Sequence, residues 1–372
     1  MSAVSILAAV LPPYLLHSLI VFVAVLVSMA MPELPAAGFV NPLLPPGTPF
    51  VEKLIKWDSH WYTYAAMHGY DERSIVFFPV IIMLLRLLTL LGIDMAVGGV
   101  LVCNVFGLFS FVLLYLIVKK EFSDAVARRS LYALALMPTS FYLNMIYTEP
   151  LFLTFALGTF YFLRQKKWWV AAFMAAMATL TRNLGIFLVA ALGYELAMSG
   201  RHRHQMRAWL AVVLPPLSLL AFMVYSWVQV GDAMAFLHGQ QTWGRHFDYP
   251  WNNIWNNIQL IVNDAPEVEP GIVLDLLLVF LALTALLMTT LMPSFRVRRS
   301  ILVVGWTWLL IPLCSTTPWF PLYSLARFTL VIIPLYIWLA LLPRRLYHAY
   351  LVCGGILLAY GTIGFCSWRW LG

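Results

Sequence analysis

Met95-Ala96-Val97-Gly98-Gly99-Val100-Leu101-Val102-Cys103-Asn104-Val105-Phe106-Gly107-Leu108-Phe109-Ser110-Phe111-Val112-Leu113-Leu114-Tyr115-Leu116-Ile117-Val118, closed by Lys119-Lys120, decides the fold class. A perpendicular bilayer span needs about 20 apolar residues, and this run exceeds that before meeting a charge. Similar runs recur at 11–31, 76–92, 131–147, 150–163, 168–181, 184–199, 208–230, 271–292, 300–316, 325–342 and 349–367. The whole chain of 372 residues is 62% hydrophobic with mean hydropathy +0.84. Soluble domains are about 45–50% apolar and about 25% charged; here the charged share is 10%. These figures exclude a soluble enzyme, a disordered chain and a nucleic-acid binder. They predict an all-α polytopic membrane protein. Cys103, Cys314, Cys353 and Cys366 lie in or beside apolar runs without CxxC spacing, so neither a disulfide nor a metal site is expected. No cleavable signal peptide, low-complexity tract or charge-rich soluble unit is evident, and residues 1–372 read as a single membrane domain.

The formal charge of +7 needs no anionic partner. Lys and Arg collect on cytoplasmic loops of membrane proteins. Five clusters mark such loops: Lys119/Lys120 with Arg128/Arg129, Arg164/Lys166/Lys167, Arg201/Arg203/Arg207, Arg296/Arg298/Arg299 and Arg344/Arg345. Two apolar runs separate each successive pair, so the chain returns to the same side every time. The count fails only before Lys119, where 76–92 makes three. That run starts Phe77-Phe78-Pro79, carries Arg86 and is short, so it reads as a helix in or dipping into the outer interface. The expected topology is about eleven transmembrane helices, with 32–94 a large first external loop carrying juxtamembrane helices and 231–270 a second external loop. An alternative keeps 76–92 as a span and places the N-terminus outside.

Lys56-Trp57-Asp58-Ser59-His60-Trp61-Tyr62-Thr63-Tyr64-Ala65-Ala66-Met67-His68-Gly69-Tyr70 carries the most chemistry. As a helix it aligns Trp57, Trp61, Tyr64 and His68 on one stripe, which predicts an anchor at the headgroup level. Asp58 and Tyr62 share the adjacent face, and Gly69 is placed to stop the helix. Asp58 has two readings: a helix N-cap, or a carboxylate held at the lipid–water boundary for chemistry. A capping box is missing its acid, because Trp61 stands at the third position.

Trp57-Asp58, His68-Gly69-Tyr70 and Phe77-Phe78-Pro79 together resemble the pattern of the PIG-V family of GT-C-type glycosyltransferases. Met137-Pro138-Thr139-Ser140-Phe141, Tyr147-Thr148-Glu149-Pro150-Leu151-Phe152 and Ala178-Thr179-Leu180-Thr181-Arg182-Asn183-Leu184-Gly185 extend the resemblance. It ends at Ser324-Leu325-Ala326-Arg327-Phe328, where Ala326 and Phe328 depart from the family's Pro-Arg-Tyr core. The matches run in family order over about 57–330. The resemblance implies a GT-C-type fold and transfer of a sugar, mannose by family, from a polyprenyl-phosphate carrier on the non-cytoplasmic face. It also implies a carboxylate in the first external loop, the position Asp58 occupies.

Such a reaction needs a base for the acceptor hydroxyl and fixed cations for the departing phosphate. Asp58 is the candidate base. Glu149 either assists it or orients the acceptor, or else caps the helix that Pro150 begins. Arg182 and Arg327 are candidate phosphate ligands at outer ends of apolar runs, against the alternative that each snorkels to headgroups. Trp57, His60, Tyr62 and Asn183 are further candidate substrate contacts; interfacial anchoring is the plainer reading for His60 and His68. In the second loop Gln241 and Trp243 are candidate sugar contacts, beside Gln240, Arg245, His246, Asp248, Trp251 and Trp255. That mix equally describes an ordinary interfacial loop. Asp264, Glu267 and Glu269 lack ligand spacing, so no metal is expected there. No Gly-rich phosphate loop exists, and no cofactor is expected beyond the lipid-linked sugar donor as substrate. The partners expected are that donor, a glycan or glycolipid acceptor and membrane lipids, but no nucleic acid. The reading is an inverting membrane glycosyltransferase; its rival is a non-enzymatic lipid or solute transporter.

Overall fold

The computed structural model describes residues 2–199, 206–263, 268–295 and 297–371. The sequence expectations at Arg201, Arg203, Asp264, Glu267 and Arg296 lie outside these residues. The described fold is all-α apart from one antiparallel pairing of His246–Phe247 with Ser315–Thr316. Five helices are long and apolar enough to cross a bilayer by length and composition: Ala3–Met29, Met95–Glu121, Met206–Val230, Pro270–Leu291 and Arg344–Cys366.

The expected count of about eleven is not reached by single helices, because the other runs are shorter or broken. The 131–147 run is the sharpest departure. Its helix, Asp124–Ala135, ends before Pro138, which offers no N–H and disfavours helical backbone in the residue before it. The chain then passes through a tight turn at Ser140–Leu143 and stays buried to Glu149 without regular structure. Side chains satisfy that irregular backbone: the Ser140 hydroxyl donates to the Met137 carbonyl at 2.7 Å, and Thr139 donates to the Ala326 carbonyl at 3.2 Å. Pro334 likewise accompanies a break in 325–342, which becomes Leu325–Thr329 and Ile333–Leu341. The 76–92 run holds a helix only over Pro79–Leu90. Twelve residues give about 18 Å, well short of a ~30 Å hydrocarbon core.

The Glu149–Arg164 helix is the centre of the packing. It is apolar all round and buried on nearly every side, between Met95–Glu121 and Trp168–Thr179. Polar side chains cross its interface with Met95–Glu121: Ser110 and Thr154 hydroxyls lie 2.8 Å apart, and Thr154 donates to the Phe106 carbonyl at 2.6 Å. The two helices run parallel, so one end of the bundle gathers Glu121 and Arg164 as an ion pair. Arg298 joins them, 3.7 Å from Glu121 and 3.3 Å from Glu195, and Arg129 donates to the Leu342 carbonyl beside Arg344. Among the described residues, members of four of the five basic clusters therefore converge at one end. The candidate site lies at the other end, where Asp58, Glu149 and Arg182 meet.

Candidate active site

Asp58 begins the Asp58–His68 helix, and Trp57, at φ 56°, occupies the cap position without a side-chain cap bond. The N-cap reading of Asp58 is thus corrected: its carboxylate leaves the helix end and accepts from Arg327 Nη1 at 2.6 Å. The helix is pinned from below by the irregular 144–149 segment. Ser59 donates to the Ile146 carbonyl at 3.0 Å, and the Asp58 N–H donates to the Tyr147 hydroxyl at 3.3 Å. Gly69 ends the helix as expected.

The aromatic stripe is corrected at Trp61, while Tyr64 and His68 stack on each other at 4.9 Å with His68 exposed. Trp61 is buried in protein, stacked on Phe39 at 4.0 Å and edge-on to Trp243 at 5.6 Å. The Pro-rich 32–49 stretch supplies Phe39 and covers a surface that sequence assigned to headgroups. Tyr62 lines the Asp58 cavity, with its ring edge-on to Phe77 and Tyr147. Burial pushes its hydroxyl pKa well above the ordinary value, so it stays a neutral donor.

Arg327 sits on the short Leu325–Thr329 turn, whose geometry is fixed by Ser324 at φ 67° and by the Ala326 N–H donating to Asp275 at 2.5 Å. Its Nε also lies 3.2 Å from Glu149 Oε1. Arg182 pairs with the same Glu149 carboxylate. Arg182 is carried by an extended residue between Trp168–Thr179 and the Asn183–Phe187 turn. That turn fits because residue 185 is Gly: a Cβ there would stand 2.3 Å from the Ala178 carbonyl carbon. Asp58, Arg327, Glu149 and Arg182 form one continuous ion chain. Neither arginine snorkels, and Glu149 is neither a helix cap nor a residue lining the cavity. It is fully buried and holds two guanidiniums.

The cavity above this chain has a volume of about 310 Å³ and is lined by Asp58, Tyr62, Arg182, Asn183, Trp243 and Arg327, among others. That is the lower end of ordinary ligand pockets. Three expected contacts are not in it. Gln241 is exposed, and Gln240, one residue earlier on the Ala235–Thr242 helix, takes its place. A step of one residue turns a helix by about 100°, which the loop's sequence could not phase. His60 lines a second cavity with Lys56 and Trp368, where burial, helped by Lys56, lowers its pKa to about 4 and keeps it neutral. Trp57 stands edge-on between Trp368 and Trp370.

Arg245 is the site residue that sequence reasoning passed over as part of a mixed loop. The His246–Phe247 pairing with Ser315–Thr316 draws it over the cavity. Its guanidinium lies 4.8 Å from the Tyr323 ring and has no carboxylate partner among the described residues. Burial lowers its pKa to about 10, which leaves it charged at neutral pH. Of the three guanidiniums here, Arg182 and Arg327 are ion-paired, and Arg245 is, among the described residues, the one free to meet an anionic ligand.

A family model described as mannosyltransferase (PIG-V) matches residues 13–237 of the chain. The match contains Asp58, Glu149 and Arg182; Trp243, Arg245 and Arg327 lie beyond it. No curated protein matches. Among solved structures, ArnT from Cupriavidus metallidurans bound to undecaprenyl phosphate is similar in fold, with TM-score 0.52 and 12% identity over 98% of this chain and 77% of that one.

Proposed function

The chain belongs to the mannosyltransferase (PIG-V) family, and we propose on that premise that it moves mannose from polyprenyl phosphate to a hydroxyl of a glycan or glycolipid acceptor. The cavity faces the non-cytoplasmic side in this reading, and the anomeric carbon inverts. A glycosyltransferase family sets aside the transporter alternative. The observation that carries the chemistry is the Arg245 guanidinium, without an ion pair among the described residues, beside the Asp58 carboxylate and two paired arginines in one cavity.

The donor phosphate enters as the anion that Arg245 lacks, with Arg327 and Arg182 at hand. It competes with Asp58 for Arg327, and the exchange leaves the Asp58 carboxylate free to accept a proton. The acceptor oxygen then attacks C1 from the face opposite the phosphate. A C–O bond forms to the acceptor, the C1–O bond to phosphate breaks, and the electron pair leaves with the polyprenyl phosphate. The hydroxyl proton passes to Asp58. Fixed guanidiniums in a poorly solvated site stabilise the developing phosphate charge. The lipid-linked sugar is a substrate, and no further cofactor enters the proposal.

Arg245→Gln tests the phosphate assignment. A hydrogen bond to a charged group contributes about 1.5–3 kcal/mol, so affinity for polyprenyl phosphate should fall roughly 10–100-fold while folded yield holds. Unchanged affinity would remove Arg245 from the phosphate site. Sidedness has its own test. Single cysteines at the exposed positions 241 and 242 should react with an impermeant reagent from outside, and cysteines at the exposed positions 298 and 299 only after permeabilisation. The reverse pattern would put the active face in the cytoplasm.

A further inference from the structure

Among the described residues, three that line the cavity each carry a buried polar atom without a hydrogen-bond partner. Trp243 Nε1, Ser324 Oγ and Trp370 Nε1 have no hydrogen-bond partner among the described residues. All three residues line the cavity that holds Asp58. They arrive on three separate stretches: the 231–270 segment, the turn before Leu325–Thr329, and the tail after Arg344–Cys366. A buried donor without a partner is costly, and native structures keep few of them. Three around one cavity mark acceptor groups that a ligand brings.

Trp370 is the least expected of the three. After Cys366 the tail turns back through Trp368 at φ 61°, and the Arg369 N–H donates to the Gly364 carbonyl at 2.9 Å. Gly271 makes room for it, since a Cβ there would stand 2.5 Å from the Trp370 carbonyl oxygen. The returned indole lies parallel to Tyr323 at 5.0 Å and edge-on to Trp57 at 4.9 Å. Its ring centroid is 6.0 Å from the Arg327 guanidinium. The tail is thus fastened beside the reacting carboxylate rather than left at the surface.

We infer that Trp370, with Trp243 and Ser324, forms the subsite that recognises the hydroxyls of the transferred glycosyl group, so that the C-terminal tail sets sugar specificity. The inference rests on the proposed function and names the part of the donor these residues read. The donor has three chemical parts. Its phosphate is matched by guanidiniums, and its polyprenyl chain offers indole N–H groups no acceptor. The sugar ring offers several hydroxyl oxygens and C–H faces suited to aromatic walls. A site built to hydrogen-bond substrate hydroxyls rejects analogues that lack them far better than an apolar pocket does.

The test reads binding of two lipids to the full-length protein in nanodiscs: mannosyl polyprenyl phosphate and bare polyprenyl phosphate. Wild type should prefer the sugar-bearing lipid. Trp370→Phe keeps an aromatic wall and removes the N–H, so the preference should shrink by roughly tenfold with bare-lipid affinity unchanged. Ser324→Ala, the smaller change, should shrink it in the same direction and decides the matter if Trp370→Phe does not fold. An undiminished preference in the folded variants overturns the subsite. So does a wild type that binds the bare lipid without favouring the sugar, and that outcome leaves the phosphate reading standing. A wild type that binds neither lipid overturns the proposed function itself.

Discussion

Asp58→Asn should fold, should bind polyprenyl phosphate, and should transfer sugar about 10²–10⁴-fold more slowly than wild type. The amide is nearly the same shape as the carboxylate and can still accept from Arg327 Nη1, which the carboxylate meets at 2.6 Å. What it cannot do is take the acceptor proton. Because the carboxylate does not cap the Asp58–His68 helix, stability gives it no alternative task at the helix end. Near-normal transfer by a folded Asp58→Asn protein would remove Asp58 from the mechanism. The paired measurement is donor affinity and transfer rate on the same preparation.

Glu149→Ala should act by another route and show it in stability. Glu149 has no exposed surface and lies against both Arg182 and Arg327. Its loss leaves two guanidiniums short of a counter-charge, and breaking a buried pair costs about 3–5 kcal/mol. That is a large part of the ~5–15 kcal/mol that holds a typical protein folded. Thermal stability and donor binding should therefore fall together, and Glu149→Gln, which retains an acceptor, should restore part of both. A Glu149→Ala protein with normal thermal stability and no transfer would instead make Glu149 a reacting group. The two carboxylates separate cleanly: one lines the cavity, and the other only holds the arginines that do.

Local features of the sequence were legible. The apolar runs gave a helical membrane protein, the basic clusters gave one shared end, and the Trp57–Tyr70 stretch gave a helix stopped at Gly69 with Asp58 and Tyr62 on one face. Those signals rest on composition and on i, i+4 geometry, which a single stretch contains. Non-local features were hidden. Trp61 turned inward because Phe39, far back in the chain, covers it. Arg245 reached the cavity through a strand pairing with Ser315–Thr316, some seventy residues away, while its neighbours had the composition of any interfacial loop. Arg182 and Arg327 were read as bare cations because nothing local shows that Glu149 and Asp58 would meet them. Trp370 lay past the last apolar run, where the return shows only in tertiary contacts such as the close fit against Gly271. The number of crossings was hidden for a related reason. Hydropathy does not distinguish a crossing helix from a short or broken segment buried among its neighbours, as at 131–147.

The most direct measurement is single-enzyme transfer. Purified protein in nanodiscs is given radiolabelled mannosyl polyprenyl phosphate and a panel of glycan and glycolipid acceptors, and both labelled acceptor and freed polyprenyl phosphate are counted. The account predicts labelled acceptor and freed carrier in equal amounts, with the new linkage inverted, and almost none of either from Asp58→Asn. Equal rates from wild type and Asp58→Asn, or retention of configuration at the anomeric carbon, would contradict it.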